Sequence, residues 1–229
     1  MKPPSTARTL WNSTVGKKAV MAVSGLIMLA FLVLHMLGNL KIFFGREDFD
    51  HYAHYLRTIG TPVLHQVWFL WIERAVLTVA FFAHVVSAVQ LSRRDAAARP
   101  TRYVHAARVQ GRFTTHTMRY GGAFLLLFIV WHLLDLTTGT VSAKFVEGHP
   151  YANVVADFDV WWRNLIYIVA MLLLGLHINH GFWSASQTLG GQAAANRRSR
   201  TKIIGTVVAV LVTAGFIAVP VGVMTGLVS

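Results

Sequence analysis

A chain of 229 residues with 55% hydrophobic and only 13% charged residues, against about 25% charged in a typical soluble domain, is not composed as a soluble enzyme; its mean hydropathy is +0.51. The absence of cysteine excludes disulfides, cysteine-ligated zinc and iron–sulfur clusters held by this chain alone. The net charge of +12 reads as the surplus of lysine and arginine that cytoplasmic loops of membrane proteins collect rather than as a nucleic-acid footprint, and no phosphate-binding glycine loop or Ser/His/Asp constellation stands out.

A hydrocarbon core of about 30 Å takes about 20 mostly apolar residues in helix. Five segments meet that requirement, at 19–43, 67–91, 118–138, 160–184 and 203–227. The first is too long for a cleaved signal peptide and lacks a small-residue cleavage site. Before it stand Lys2, Arg8, Lys17 and Lys18, and after it Glu47, Asp48 and Asp50. The second span is followed by Arg93, Arg94, Arg99, Arg102, Arg108, Arg112 and Arg119 against Asp95 alone. Glu147, Asp157 and Asp159 follow the third, and Arg197, Arg198, Arg200 and Lys202 the fourth. This alternation predicts a cytoplasmic N-terminus and an outside C-terminus, as an odd number of spans requires. The expected fold is all-α: one membrane domain, 1–229, built as a bundle of five transmembrane helices with short connections and no internal repeat, in a bacterial plasma membrane.

Ionisable side chains inside a membrane are costly and usually functional. Of the eleven histidines, His35, His84, His132, His177 and His180 fall within spans. A lone buried histidine is ordinarily a hydrogen-bonded packing residue, so depth decides the matter. At 1.5 Å per residue, His35 lies roughly 24 Å and His132 roughly 21 Å from the cytoplasmic surface, while His84 and His177 each lie roughly 10 Å from it. The histidines therefore form two levels, an outer pair, His35 with His132, and an inner pair, His84 with His177. Each pair joins two different helices. Imidazoles facing one another across a bundle are what six-coordinate haem b requires, and two levels predict two haems b. Gly25, Gly38, Gly122, Gly175 and Gly181 would let a flat macrocycle approach the backbone, or serve ordinary close helix packing.

These residues sit in stretches that resemble a known family, the five-helix di-haem cytochrome b anchor of succinate:quinone oxidoreductases, which comprise succinate dehydrogenase and fumarate reductase. The similar stretches are Ser13–Lys18, His35–Leu40, Phe49–Arg57, the helix around His84, Phe128–His132 and, most clearly, His177-Ile178-Asn179-His180-Gly181-Phe182-Trp183-Ser184 continuing to Gln187–Gly190. They extend over nearly the whole chain. The resemblance implies the same haem pairs, His35 with His132 and His84 with His177, with His180 as the rival to His177 or as a partner of a haem propionate or quinone. It also implies a flavoprotein and an iron–sulfur subunit docked on the cytoplasmic face, with membrane quinone as the electron acceptor. On that reading the chain is a component of an oxidoreductase, not an enzyme alone. The arginine-rich loop 92–119 would meet the iron–sulfur subunit or reflect topology alone. Relatives with a glutamate two positions before the ligand of the fourth span differ from this chain, which has Gly175 there.

Quinone reduction needs polar groups and protons. Glu73, eleven residues before His84 on nearly the same helix face, and Asp135, one turn beyond His132, are the candidates beside the outer level. Their alternative role is interfacial pairing with Arg74 or Arg163. Two other functions compete: a cytochrome b anchor for a different respiratory dehydrogenase, and a transporter or proton channel using the histidines as relays. A histidine pair fixes ligation but not the metal, so a centre completed by a partner's cysteines is the alternative cofactor.

Overall fold

The computed structural model describes residues 11–98, 111–191 and 195–229; Lys2, Arg8, Arg99, Arg102 and Arg108 of the basic segments lie outside them. The helices in chain order are α1 (Thr14–Leu40, extended by a 3-10 turn, Lys41–Phe44), α2 (Arg46–Thr58), α3 (Trp68–Ala97), α4 (Gly111–His132, continued by a π turn, Leu133–Thr137), α5 (Pro150–Phe158), α6 (Trp161–Thr188) and α7 (Ala195–Met224). No strand occurs among the described residues. Five helical stretches are long and apolar enough to cross a membrane: Thr14–Phe44, Trp68–Ala97, Met118–Thr137, Trp161–Thr188 and Arg198–Met224. Large apolar side chains such as Leu34, Val79, Leu127, Leu172 and Val210 are exposed along them, as lipid-facing surfaces require.

The helix ends run past the apolar runs for identifiable reasons. Ser13 caps α1, its hydroxyl accepting from the Gly16 amide at 2.9 Å, and this begins the helix before its apolar run does. The end of α3 continues through Arg93 and Arg94, whose long stems keep the charge in water while the backbone stays helical. Arg94 donates to the Asn12 carbonyl at 3.0 Å, and the Lys17 ammonium donates to Gln90 Oε1. These contacts join the start of α1 to the end of α3, so the two helices are antiparallel.

Two connections expected to be short loops contain amphipathic helices. Helix α2 has Glu47 and Asp48 in its first turn and Arg57 in its last, the arrangement that complements a helix dipole. Helix α5 begins with Pro150, whose missing N–H costs nothing there. The two meet at one end of the bundle. The Tyr151 amide donates to Asp50 Oδ1 at 3.0 Å, and Phe49 and Tyr151 are both buried, their rings 6.2 Å apart. Buried Phe128, Phe158, Tyr167 and Met171 continue this core into the bundle.

The long helices pack in a definite order. Helix α1 lies against α3, α6 and α7, and α6 lies against α4 and α7. Contacts of Gly121 with Leu173 and of Trp131 with Trp162 make α4 and α6 antiparallel. Helices α3, α1, α6 and α4 thus pack in that order along three sides of a square, the α4–α3 side not being a close contact among the described residues, with α7 outside against α1 and α6. Neither α1 with α4 nor α3 with α6 is a closely packed pair among the described residues; these are the diagonals. Lys17, Lys18, Arg93, Arg94, Arg198 and Lys202 gather at one end of the square, and the acids of α2 and α5 at the other.

Candidate cofactor site

Both diagonals are bridged by histidines. His35 of α1 faces His132 of α4 with ring centroids 6.2 Å apart, and His84 of α3 faces His177 of α6 at 6.1 Å. A metal with an imidazole nitrogen about 2.0 Å away on each side would hold the ring centres about 6 Å apart. Among the described residues no group of three or more His, Asp or Glu side chains is arranged to hold a metal ion. A pair of imidazoles on its own suits a metal whose other ligands come from a macrocycle. The helices of each diagonal are not closely packed on one another among the described residues.

The two levels are built by a shared spacing. On α1, Gly25, Phe31 and His35 follow Gly-x5-Phe-x3-His; on α4, Gly122, Phe128 and His132 follow the same spacing. The shared spacing is present in the sequence, but its meaning emerges only once the two helices are placed. Each phenylalanine stacks on its own helix's histidine, Phe31 on His35 at 5.1 Å and 17°, Phe128 on His132 at 5.8 Å and 24°. Each glycine faces the other diagonal: a Cβ on Gly25 would meet His84 at 3.2 Å, and one on Gly122 would meet His177 at 3.9 Å. Ten residues separate glycine from histidine, about 15 Å along the axis and about 80° around it. One helix therefore carries the glycine of one level and the histidine of the next, on different faces. Of the other glycines, Gly38 accommodates Tyr52, Gly175 faces Thr213, and Gly181 meets no neighbouring atom.

Second partners orient two of the four rings, each differently, and a third ring has none. His84 Nδ1 lies 3.0 Å from the Met21 carbonyl, an acceptor only, so Nδ1 carries the proton and Nε2 keeps its lone pair for a metal. His132 Nδ1 lies 3.1 Å from the Tyr167 hydroxyl. His177 Nδ1 is buried without a partner. His180, one turn beyond His177, lines with it a cavity of about 390 Å³ that Lys202 and Trp183 also border.

Asp135 and Glu73 sit in different settings. The π turn after His132, closed by the Thr138 amide to the Leu133 carbonyl at 2.9 Å, carries Asp135 with no exposure. Arg163 donates to Asp135 Oδ1 at 3.1 Å and forms a second ion pair with the equally buried Asp157. Tyr167 completes the group, its hydroxyl 3.4 Å from Asp135 Oδ2. Glu73, on the second turn of α3, is half-buried and acts on Tyr52 of α2: burial first, and the Glu73 charge second, push the Tyr52 phenol above its ordinary value. Asp135 and Glu73 are not brought together with one another.

Tyr167 and Asp157 were not foreseen as site residues. Their signal lay in the sequence as Arg163, Asn164 and Tyr167, three polar side chains in the first two turns of an apolar span, where polar groups rarely stand without a partner. Comparison of the chain with family models, curated proteins and solved structures gives no match.

Proposed function

We propose that this chain is an electron-carrying membrane anchor of a succinate:quinone oxidoreductase, holding one haem b between His35 and His132 and a second between His84 and His177. The observation that carries the reading is the pair of imidazole separations, 6.2 and 6.1 Å, each across a diagonal whose helices are not closely packed on one another. Haem at these places supplies one-electron transfer. The residues of the chain provide axial nitrogens, a fixed tautomer at His84 through the Met21 carbonyl, and positive charge from Lys202 beside His177 and His180 for acidic groups on the macrocycle. The two levels, about 15 Å apart, divide a hydrocarbon core of about 30 Å into steps.

The partners are those that the resemblance of the sequence implies. Succinate yields two electrons and two protons as fumarate forms, and a quinone takes up two electrons and two protons as quinol forms. A flavoprotein and an iron–sulfur subunit, for which this cysteine-free chain has no ligands of its own, would pass the electrons from the basic end of the bundle. Glu73, beside Tyr52, would serve a quinone at the opposite end. Asp135 has both oxygens engaged.

The test is a reduced-minus-oxidised visible spectrum of the purified complex with haem counted against flavin. Two haems b per flavin are expected. Haem without covalent flavin would move the chain to another respiratory dehydrogenase, and a complex without haem would end the di-haem reading.

A further inference from the structure

The buried polar groups beyond His132 form one continuous chain. Asp135 is held by the Arg163 guanidinium, and an ion-paired carboxylate only accepts hydrogen bonds. The Tyr167 hydroxyl therefore donates to Asp135 Oδ2, 3.4 Å away. With its proton so committed, the Tyr167 oxygen can only accept, and the group 3.1 Å from it is His132 Nδ1. Nδ1 must then carry the proton, and Nε2 is left as the free donor atom. The carboxylate at one end thus dictates the tautomer at the other, through a hydroxyl buried among the rings of Phe128, Trp131 and Phe158. Arg163 is shared with Asp157, so one guanidinium ties two carboxylates together. Among the described residues nothing of this kind stands behind the other diagonal, where His84 meets a backbone carbonyl and His177 Nδ1 has no hydrogen-bond partner.

We infer that Tyr167 and Asp135 are positioning residues for His132, and that their hydrogen-bond chain lowers the reduction potential of the haem on the α1–α4 diagonal alone. The inference rests on the proposed di-haem function. Its physical basis is that an imidazole donating its second N–H to an acceptor is a more basic ligand, which favours the ferric state, and that outer-shell hydrogen bonds and local charge are among a protein's levers on haem potential. The π turn has a part here: it sets Asp135 where Arg163 and Tyr167 can both reach it.

The experiment is a potentiometric titration of the visible haem bands in the intact complex, for the unaltered protein, Tyr167→Phe and Asp135→Asn. Tyr167→Phe keeps the ring and its packing and removes only the hydroxyl. It is expected to leave two haems bound and to shift the reduction equilibrium of one of them on the order of tenfold toward the ferrous form, about 59 mV for a one-electron couple. Asp135→Asn should move the same haem in the same direction. His84→Ala, which removes the other haem, identifies the one affected. Two haems with unchanged potentials in Tyr167→Phe, or an equal shift of both, would overturn the inference while leaving the di-haem function intact. A complex without haem before any substitution would overturn the function itself.

Discussion

A Cβ placed on Gly25 would touch Cε1 of His84 at 3.2 Å and its Nδ1 at 3.3 Å. The ring cannot simply retreat, because the same nitrogen is tied to the Met21 carbonyl one turn earlier on α1. Gly25→Val is therefore expected to displace His84 and lose the haem of the α3–α6 diagonal, halving the haem-to-flavin ratio. Gly122→Ala has 3.9 Å of room at His177 and should keep both haems. Equal haem contents in the two variants would contradict this placing of the ring.

The diagonals predict a pattern of double substitutions. His35→Ala and His132→Ala should each cost one haem, and together should cost no more than one. His35→Ala with His84→Ala should cost both. Non-additivity within a pair and additivity between pairs is what residues serving one unit show, and haem quantification of the six double variants would read it directly. Loss of both haems from His35→Ala alone would sink the two-site arrangement.

Arg163 is the cation between two carboxylates with no exposure, and is itself 11% exposed. Arg163→Met leaves both buried without a counter-charge, a loss of about 3–5 kcal/mol by the measure of other buried pairs broken on one side. Unfolding of the detergent-solubilised protein should show it. A loss of about 1 kcal/mol, typical of an exposed pair, would mean that water reaches the cluster.

Tyr52 supplies a pH dependence at the end of the bundle bearing α2. Its phenol is raised from 10.0 by burial and, less, by Glu73, although the Lys41 ammonium stands 5.6 Å over the ring. The neutral form is the one the fold favours. Its contribution is fully present below pH 10.0 and is lost as pH rises through the higher folded value. Ultraviolet difference titration should show a late-ionising tyrosine that Tyr52→Phe removes and Tyr167→Phe does not. Glu73→Gln should bring it only part of the way back, since burial is the larger cause. Complete reversal would make Glu73 the main one.

The membrane spans were legible because each is a long apolar run that only one kind of secondary structure can hide in lipid. The pairing of His35 with His132 and His84 with His177 was legible as depth, since rise per residue converts sequence position directly into height. Helices α2 and α5 were not, because Phe49, Tyr52, Tyr151 and Phe158 are scattered among polar residues and are buried only against one another and the bundle's end. The π turn was invisible for a different reason. Leu133-Leu134-Asp135-Leu136 reads alike in either helix type, and the choice belongs to Arg163 and Tyr167 on another helix. Tyr167 itself lies ten residues before His177 and so belongs to the other level, a relation that appears only when α4 is set beside α6.

The crossed diagonals also set a schedule for biosynthesis. The chain emerges N-terminus first, and its first two spans, α1 and α3, carry one histidine from each pair and therefore no complete site. His35 finds its partner only when α4 has been made, and His84 only after α6. A ribosome stalled between α4 and α6 would display the first pair and never the second. On the proposed di-haem function, cofactor loading would be staged by translation, the α1–α4 diagonal becoming competent before the α3–α6 diagonal.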